Sequence, residues 1–153
     1  MLFEIEQRFK SLNELMVAAA DKNLDERMAS YICRLGSVQI CGNLERCIEL
    51  TITARLSRSP KQVGRFLRGF FQRGVNYDCD RICQLLYQFD PTWGSFFEDF
   101  VRSNDRIKES ISSCYAVRNS VAHGGSQSLG PQILRQYYEA SLEVVARVEQ
   151  AIR

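Results

Sequence analysis

The chain has 153 residues, 45% hydrophobic and 25% charged, with a net charge of +2. That length and composition suit one globular domain over residues 1–153 with a full core, and exclude a disordered chain. A charge so near zero excludes a globally basic protein, so any nucleic-acid contact must rest on where the charges cluster.

The pattern is helical nearly throughout. Met1 to Lys10 mixes Glu4, Glu6, Arg8 and Lys10 with apolar residues, which is an amphipathic helix start and not a signal peptide. No apolar run reaches the roughly 20 residues of a membrane span, so a cytoplasmic protein with no membrane partner is expected. The first helix is predicted over 2–20, with Leu2, Ile5, Phe9, Leu12 and Met16 at helical spacing. Asn23 or Asp25 caps a long second helix running to Ser57. Its expected apolar stripe is Met28, Ile32, Leu35, Val38, Leu44, Ile48 and Ile52. Gly36 and Gly42 inside it are read as marks of close helix packing or a kink.

A third helix is predicted over 60–73, with Ser59 as N-cap, Pro60 at the first position and Gly74 as terminator. Asp90 and Pro91 repeat the device between a fourth helix (78–89) and a fifth (91–102). The sixth runs from Asn104 or Asp105 to His123 and ends at Gly124 and Gly125. Gly130 and Pro131 open the last. The fold class is therefore all-α: a bundle of long first, second, sixth and last helices with a short-helix insert between 58 and 103.

The six cysteines, Cys33, Cys41, Cys47, Cys79, Cys83 and Cys114, fall in a chain that is neither short nor loop-rich. Cys79 and Cys83 share a helix face with Ile82 and Leu86 nearby, the placement of small core hydrophobes. A zinc site would prefer CxxC pairs or several histidines, and His123 is the single histidine. No metal and no cofactor are expected. Trp93, Phe96, Phe97 and Phe100 read as core residues before base-stacking ones.

Between Glu49 and Asp78 there is no acidic residue, while Arg55, Arg58, Lys61, Arg65, Arg68 and Arg73 fall in the interval. Lys61, Arg65 and Arg68 line one helix face, opposite Val63, Leu67 and Phe70. That face is either a track for a phosphate backbone, making RNA the partner, or a solvated surface.

The sixth helix ends in Arg118, Asn119, Ser120, Val121, Ala122, His123, Gly124 and Gly125. Five residues at about 100° each set Arg118 and His123 roughly 140° apart, so they share no face of an ideal helix. One reading is structural: Arg118 pairs with a carboxylate, and His123 caps the helix, where a cation suits the dipole. The other is chemical. Arginine forks onto phosphate oxygens, histidine exchanges protons near neutrality, and Asn119 positions His123 or donates to the phosphate. Glu45 is the candidate supporting residue, orienting Arg118 through a bidentate ion pair. Otherwise it is a solvated or core-edge glutamate beside Arg46.

The string Arg118, Asn119, then His123 and Gly124 resembles the RNxxxHG signature of HEPN domains. The segment Val38 to Arg46, with Gly42 and Glu45, looks like the glycine-and-glutamate helix of the RiboL-PSP-type branch. The resemblance implies a metal-independent ribonuclease whose two-fold homodimer brings two arginines and two histidines into one cleft. The products would be a 2′,3′-cyclic phosphate and a 5′-hydroxyl. It also implies a toxin or phage-defence role restrained by an antitoxin or other regulatory protein. Some HEPN toxins carry a tyrosine two residues after the histidine, for modification by a partner. Gly125 stands there, so that control is not implied. Two other readings stay open: a non-catalytic HEPN module binding RNA or a partner protein, and a structural bundle in a larger complex.

Overall fold

A computed structural model describes residues 2–57, 61–71, 75–125 and 127–153. The regular elements among them are all helices: α1 (Phe3–Ala19), α2 (Glu26–Arg55), α3 (Lys61–Phe71), α4 (Cys79–Phe89), α5 (Pro91–Arg102), α6 (Asp105–Ala122) and α7 (Pro131–Ala151). None is long and apolar enough to cross a membrane.

The starts of α2, α4 and α5 follow from short acidic side chains that accept otherwise orphaned N–H groups. The Asp25 carboxylate accepts from Met28 N at 2.9 Å, and Asp78 from Arg81 N at 2.8 Å. Asp90 accepts from Thr92 N at 2.7 Å ahead of Pro91 at the first turn of α5. The predicted cap Ser59, Pro60 and the predicted terminator Gly74 lie outside the described residues.

The long helix α2 is the spine, with α1, α6 and α7 packed around it. It runs parallel to α7: Gly36 faces Leu134, and farther along Arg55 Nε donates to Ile152 O at 2.7 Å. Helix α6 runs antiparallel to α7, since Arg106 reaches Glu143 at 3.4 Å while Tyr137 lies beside Ser113. It follows that the C-terminal end of α6 shares one end of the bundle with the N-terminal ends of α2 and α7.

The buried face of α2 differs from the expected stripe. Leu44, Ile48 and Ile52 are buried, but Met28 and Leu35 are 47% and 51% exposed. The first half of α2 instead buries Cys33, Gly36, Ser37, Ile40 and Cys41. Small side chains win there because they let α6 and α7 approach closely. A Cβ on Gly36 would stand 2.8 Å from Leu134 Cδ2, and Cys114 Sγ lies 3.6 Å from both Cys41 Sγ and Ser37 O. Gly42 has the opposite surroundings: a Cβ there would meet nothing within 4 Å, so it marks no close packing.

All six cysteines are free, and all but the half-buried Cys83 are buried. Burial pushes the thiols of Cys47 and Cys79 up to about 12, which keeps them protonated and unreactive. Phe97 is fully buried, with Trp93 and Phe100 half-buried against the core. Phe96 departs from the core reading at 39% exposed, its ring covered by the Arg147 guanidinium at 4.2 Å.

Candidate functional site

The end of α6 is a complete Schellman motif. Gly124 N–H donates to Val121 O at 3.1 Å and Gly125 N–H to Ser120 O at 2.8 Å. Gly124 sits at φ +77°, the left-handed conformation that glycine adopts without a Cβ clash. A Cβ on Gly125 would press into Ser120, 2.9 Å from its carbonyl oxygen. Both glycines are thus required by the turn, each for its own reason.

This cap sets the motif side chains. His123 is the C-cap residue directly after the helix, its N–H bonded to Asn119 O at 3.1 Å and its side chain exposed. Arg118 and Asn119 are half-buried one turn earlier, and Arg118 Nη1 donates to Asn119 Oδ1 at 3.0 Å. That bond fixes the guanidinium at one edge and leaves its other N–H groups for a ligand. The structure therefore brings Arg118 and Asn119 into contact, while His123 stands apart at the tip.

Glu45 reaches this region from α2. Instead of the bidentate pair with Arg118, it takes the Tyr115 hydroxyl at 3.4 Å and feels Arg118 through charge. The Tyr115 oxygen in turn accepts Tyr77 N–H at 3.0 Å. Burial holds the Glu45 carboxyl above the usual carboxylate range, with the Arg118 charge and the Tyr115 hydrogen bond pulling partly back. Tyr115 was not singled out in the sequence. Its position three residues before Arg118 was the available signal, since that spacing shares a helix face.

Beside α6, the N-terminal half of α2 carries an uncovered apolar stripe of Met28, Tyr31 and Leu35, with Tyr31 flanked by the guanidiniums of Arg27 and Arg34. On α3, Leu67 is buried and Phe70 packs on the core, so that helix turns its apolar side inward as its pattern implies. Arg65 is exposed. The side chains of Lys61 and Arg68 lie outside the described residues, as do Arg58 and Arg73. Arg55, the first cation of that basic interval, is bound to the end of α7.

Two comparisons with known proteins, the curated ones and the solved structures, give no match. The family model RiboL-PSP-HEPN matches residues 4–153, nearly the whole chain.

Proposed function

Because this chain belongs to the RiboL-PSP-HEPN family, we propose that it is a metal-independent endoribonuclease acting as a two-fold homodimer. The observation that carries the reading is the tip of α6. There a rigid glycine cap holds an exposed His123 within about two helical turns of a half-buried Arg118 pinned by Asn119.

The reaction needs three groups. A base takes the proton from the 2′-hydroxyl, whose oxygen forms a bond to phosphorus. Fixed positive charge meets the phosphorane oxygens as they gain charge. An acid protonates the 5′-oxygen as its bond to phosphorus breaks, leaving a 2′,3′-cyclic phosphate and a 5′-hydroxyl. Arg118 suits the phosphate oxygens, and Asn119 holds its guanidinium. His123 suits the base or the acid, but in an in-line displacement the 2′- and 5′-oxygens lie on opposite sides of phosphorus, so one imidazole does not serve both. A second copy supplies the other. The uncovered Met28, Tyr31 and Leu35 stripe lies at the same end of the bundle and is where that copy would dock. Glu45 acts at longer range on Arg118, and exposed Arg65 is a phosphate contact along α3. The same reading makes the protein a toxin or defence effector restrained by a partner protein.

The test is cleavage of RNA by the purified chain in EDTA. Wild type is expected to yield cyclic-phosphate ends, and Arg118→Ala and His123→Ala to lose about 10² to 10⁴ of the rate while staying folded. Absent cleavage with intact RNA binding would replace this reading with a non-catalytic HEPN module.

A further inference from the structure

Helix α3 carries two phenylalanines one turn apart that the core uses unequally. Phe70 packs on the core, while Phe66 is 66% exposed with its ring centroid 6.0 Å from that of Phe70. Phe70 is held by T-shaped contacts with Phe71 at 5.3 Å and Phe89 at 6.2 Å, which fix the orientation of its ring. It forms one wall of a cavity of about 250 Å³ between α3 and α4. Val75, Tyr77 and Leu85 complete the apolar lining, and the exposed Arg81, Gln84 and Gln88 stand at the mouth. These mouth groups are open to solvent, so a ligand reaches them without any opening of the fold.

The lining narrows the ligand. The cavity falls below the roughly 300 to 1,000 Å³ of drug-sized sites, which suits a single flat ring system laid on Phe70. Arg81 Nη1 donates to Gln84 Oε1 at 3.1 Å, and the amides of Gln84 and Gln88 together still offer donors and an acceptor to a ring edge. Among the described residues no carboxylate lines the cavity. The two acids that open α4 are engaged elsewhere: Asp78 accepts Arg81 N–H, and Asp80 pairs with Lys108 at 2.8 Å. The charge at the mouth is therefore positive, and the exposed Arg65 stands next to Phe66 on α3. A nucleobase on a phosphate strand meets both features, a π-face for the ring and negative charge for the cations. An apolar side chain of a partner protein would meet only the first. The place of the cavity ties it to the motif. Tyr77 N–H donates to the Tyr115 hydroxyl at 3.0 Å, and Tyr115 precedes Arg118 by three residues, about 4.5 Å of helix rise.

We infer that the α3–α4 cavity seats one unpaired base of an RNA strand, stacked on Phe70, with Phe66 presenting its ring to the neighbouring base. The inference rests on the ribonuclease reading for RNA as the ligand. It deepens that reading to single-stranded substrates, because a base stacked inside a duplex cannot enter the cavity. Stacking and side-chain amides select no particular base, so the seat tolerates all four.

Fluorescence anisotropy of the full chain carrying His123→Ala, so that bound RNA stays intact, tests it with end-labelled RNA. A single strand of mixed sequence is expected to bind about tenfold or more tightly than an abasic strand of the same length, and than the same RNA annealed to its complement. Phe66→Ser changes only the open surface, and Phe70→Leu keeps an apolar side chain on the core. Each is expected to weaken the single strand about tenfold and to leave the abasic strand unchanged. Melting curves check that both stay folded, and where Phe70→Leu does not, Phe66→Ser decides alone. Equal binding of the abasic strand, equal binding of the duplex, no binding, or an unchanged single-strand affinity in either folded variant would each overturn the seat and leave the cavity to a side chain of a partner protein. Wild-type cleavage that neither variant affects strikes the seat and leaves the ribonuclease reading. Single-strand binding as expected without any wild-type cleavage strikes the ribonuclease and leaves the seat.

Discussion

The Tyr115 hydroxyl lies 3.4 Å from Glu45 Oε1, and the same oxygen accepts Tyr77 N–H at 3.0 Å. One buried phenol thus ties α2, α6 and the segment before α4 to the carboxylate that faces Arg118. Tyr115→Phe leaves the Tyr77 amide without its partner and removes a hydrogen bond that favours the Glu45 carboxylate. The expected loss is about 1 to 3 kcal/mol of stability, measured by urea denaturation. The Glu45 carboxyl should also titrate at higher pH, which side-chain NMR would follow. A variant as stable as wild type would show that Tyr77 finds another acceptor.

Glu45 also sets a pH dependence. Burial, the dominant cause, raises its folded-state affinity for a proton above that of the unfolded chain. Between the ordinary glutamate value of about 4.3 and the raised folded value, the folded state keeps a proton that the unfolded chain has released. Stability therefore falls as pH rises through that window and stays reduced above it. Glu45→Gln removes the titration. Its Tm relative to wild type should climb across the window and remain higher at neutral pH, while cleavage falls because Arg118 loses its counter-charge. A Tm difference independent of pH would contradict the sign argued here.

The uncovered stripe on α2 gives a test of assembly. Leu35 is 51% exposed and Tyr31 46%, so Leu35→Glu should change folding stability by no more than about 0.5 kcal/mol. Light scattering should nevertheless find a monomer, and the cleavage assay should find no activity. Phe3→Glu, an equally drastic change on a residue 74% exposed near the C-terminal ends of α2 and α7, should keep both the dimer and the rate. A dimeric, active Leu35→Glu would move the two-fold contact elsewhere.

The glycines after His123 separate two demands. Gly124 needs a positive φ, so Gly124→Ala should cost about 1 to 2 kcal/mol, and Gly124→Asn less because asparagine tolerates that region. Gly125 needs space against the Ser120 carbonyl, so Gly125→Ala must open the cap itself and shift His123. Cleavage should therefore fall further in Gly125→Ala than in Gly124→Asn, even where the two are matched in stability. Equal rates would mean that His123 is positioned by something other than this turn.

Local chemistry explains how much of this was legible in the sequence. Asp25, Asp90 and Pro91 act within one turn of themselves, so their roles were readable directly, and the paired glycines announced the end of α6. The buried face of α2 was not readable, because Cys33, Gly36 and Ser37 carry little hydrophobic signal and gain their place only from how closely α6 and α7 approach. The same holds for the site. Arg118, Asn119 and His123 are contiguous in sequence. The links from Glu45 to Tyr115 and from Arg55 to Ile152, and the Phe70 and Leu85 cavity, join positions that only the tertiary fold brings together.

Gly36 and Gly42 stand six residues apart on α2, and their surroundings predict opposite effects for one substitution. At Gly36 a Cβ would stand 2.8 and 3.0 Å from the two methyl carbons of Leu134, which is fully buried. Gly36→Ala should therefore push α7 away from α2 and cost about 1 to 3 kcal/mol despite the better helix propensity of alanine. At Gly42 a Cβ would meet nothing within 4 Å, so only the propensity gain remains, and Gly42→Ala should stabilise by about 0.5 to 1 kcal/mol. Gly42 borders the open groove between α1 and α2, so the added methyl has room there and cleavage at the motif should be unchanged. Denaturation curves of the two variants, read beside their cleavage rates, separate the glycine that holds helices together from the one that only borders an open groove.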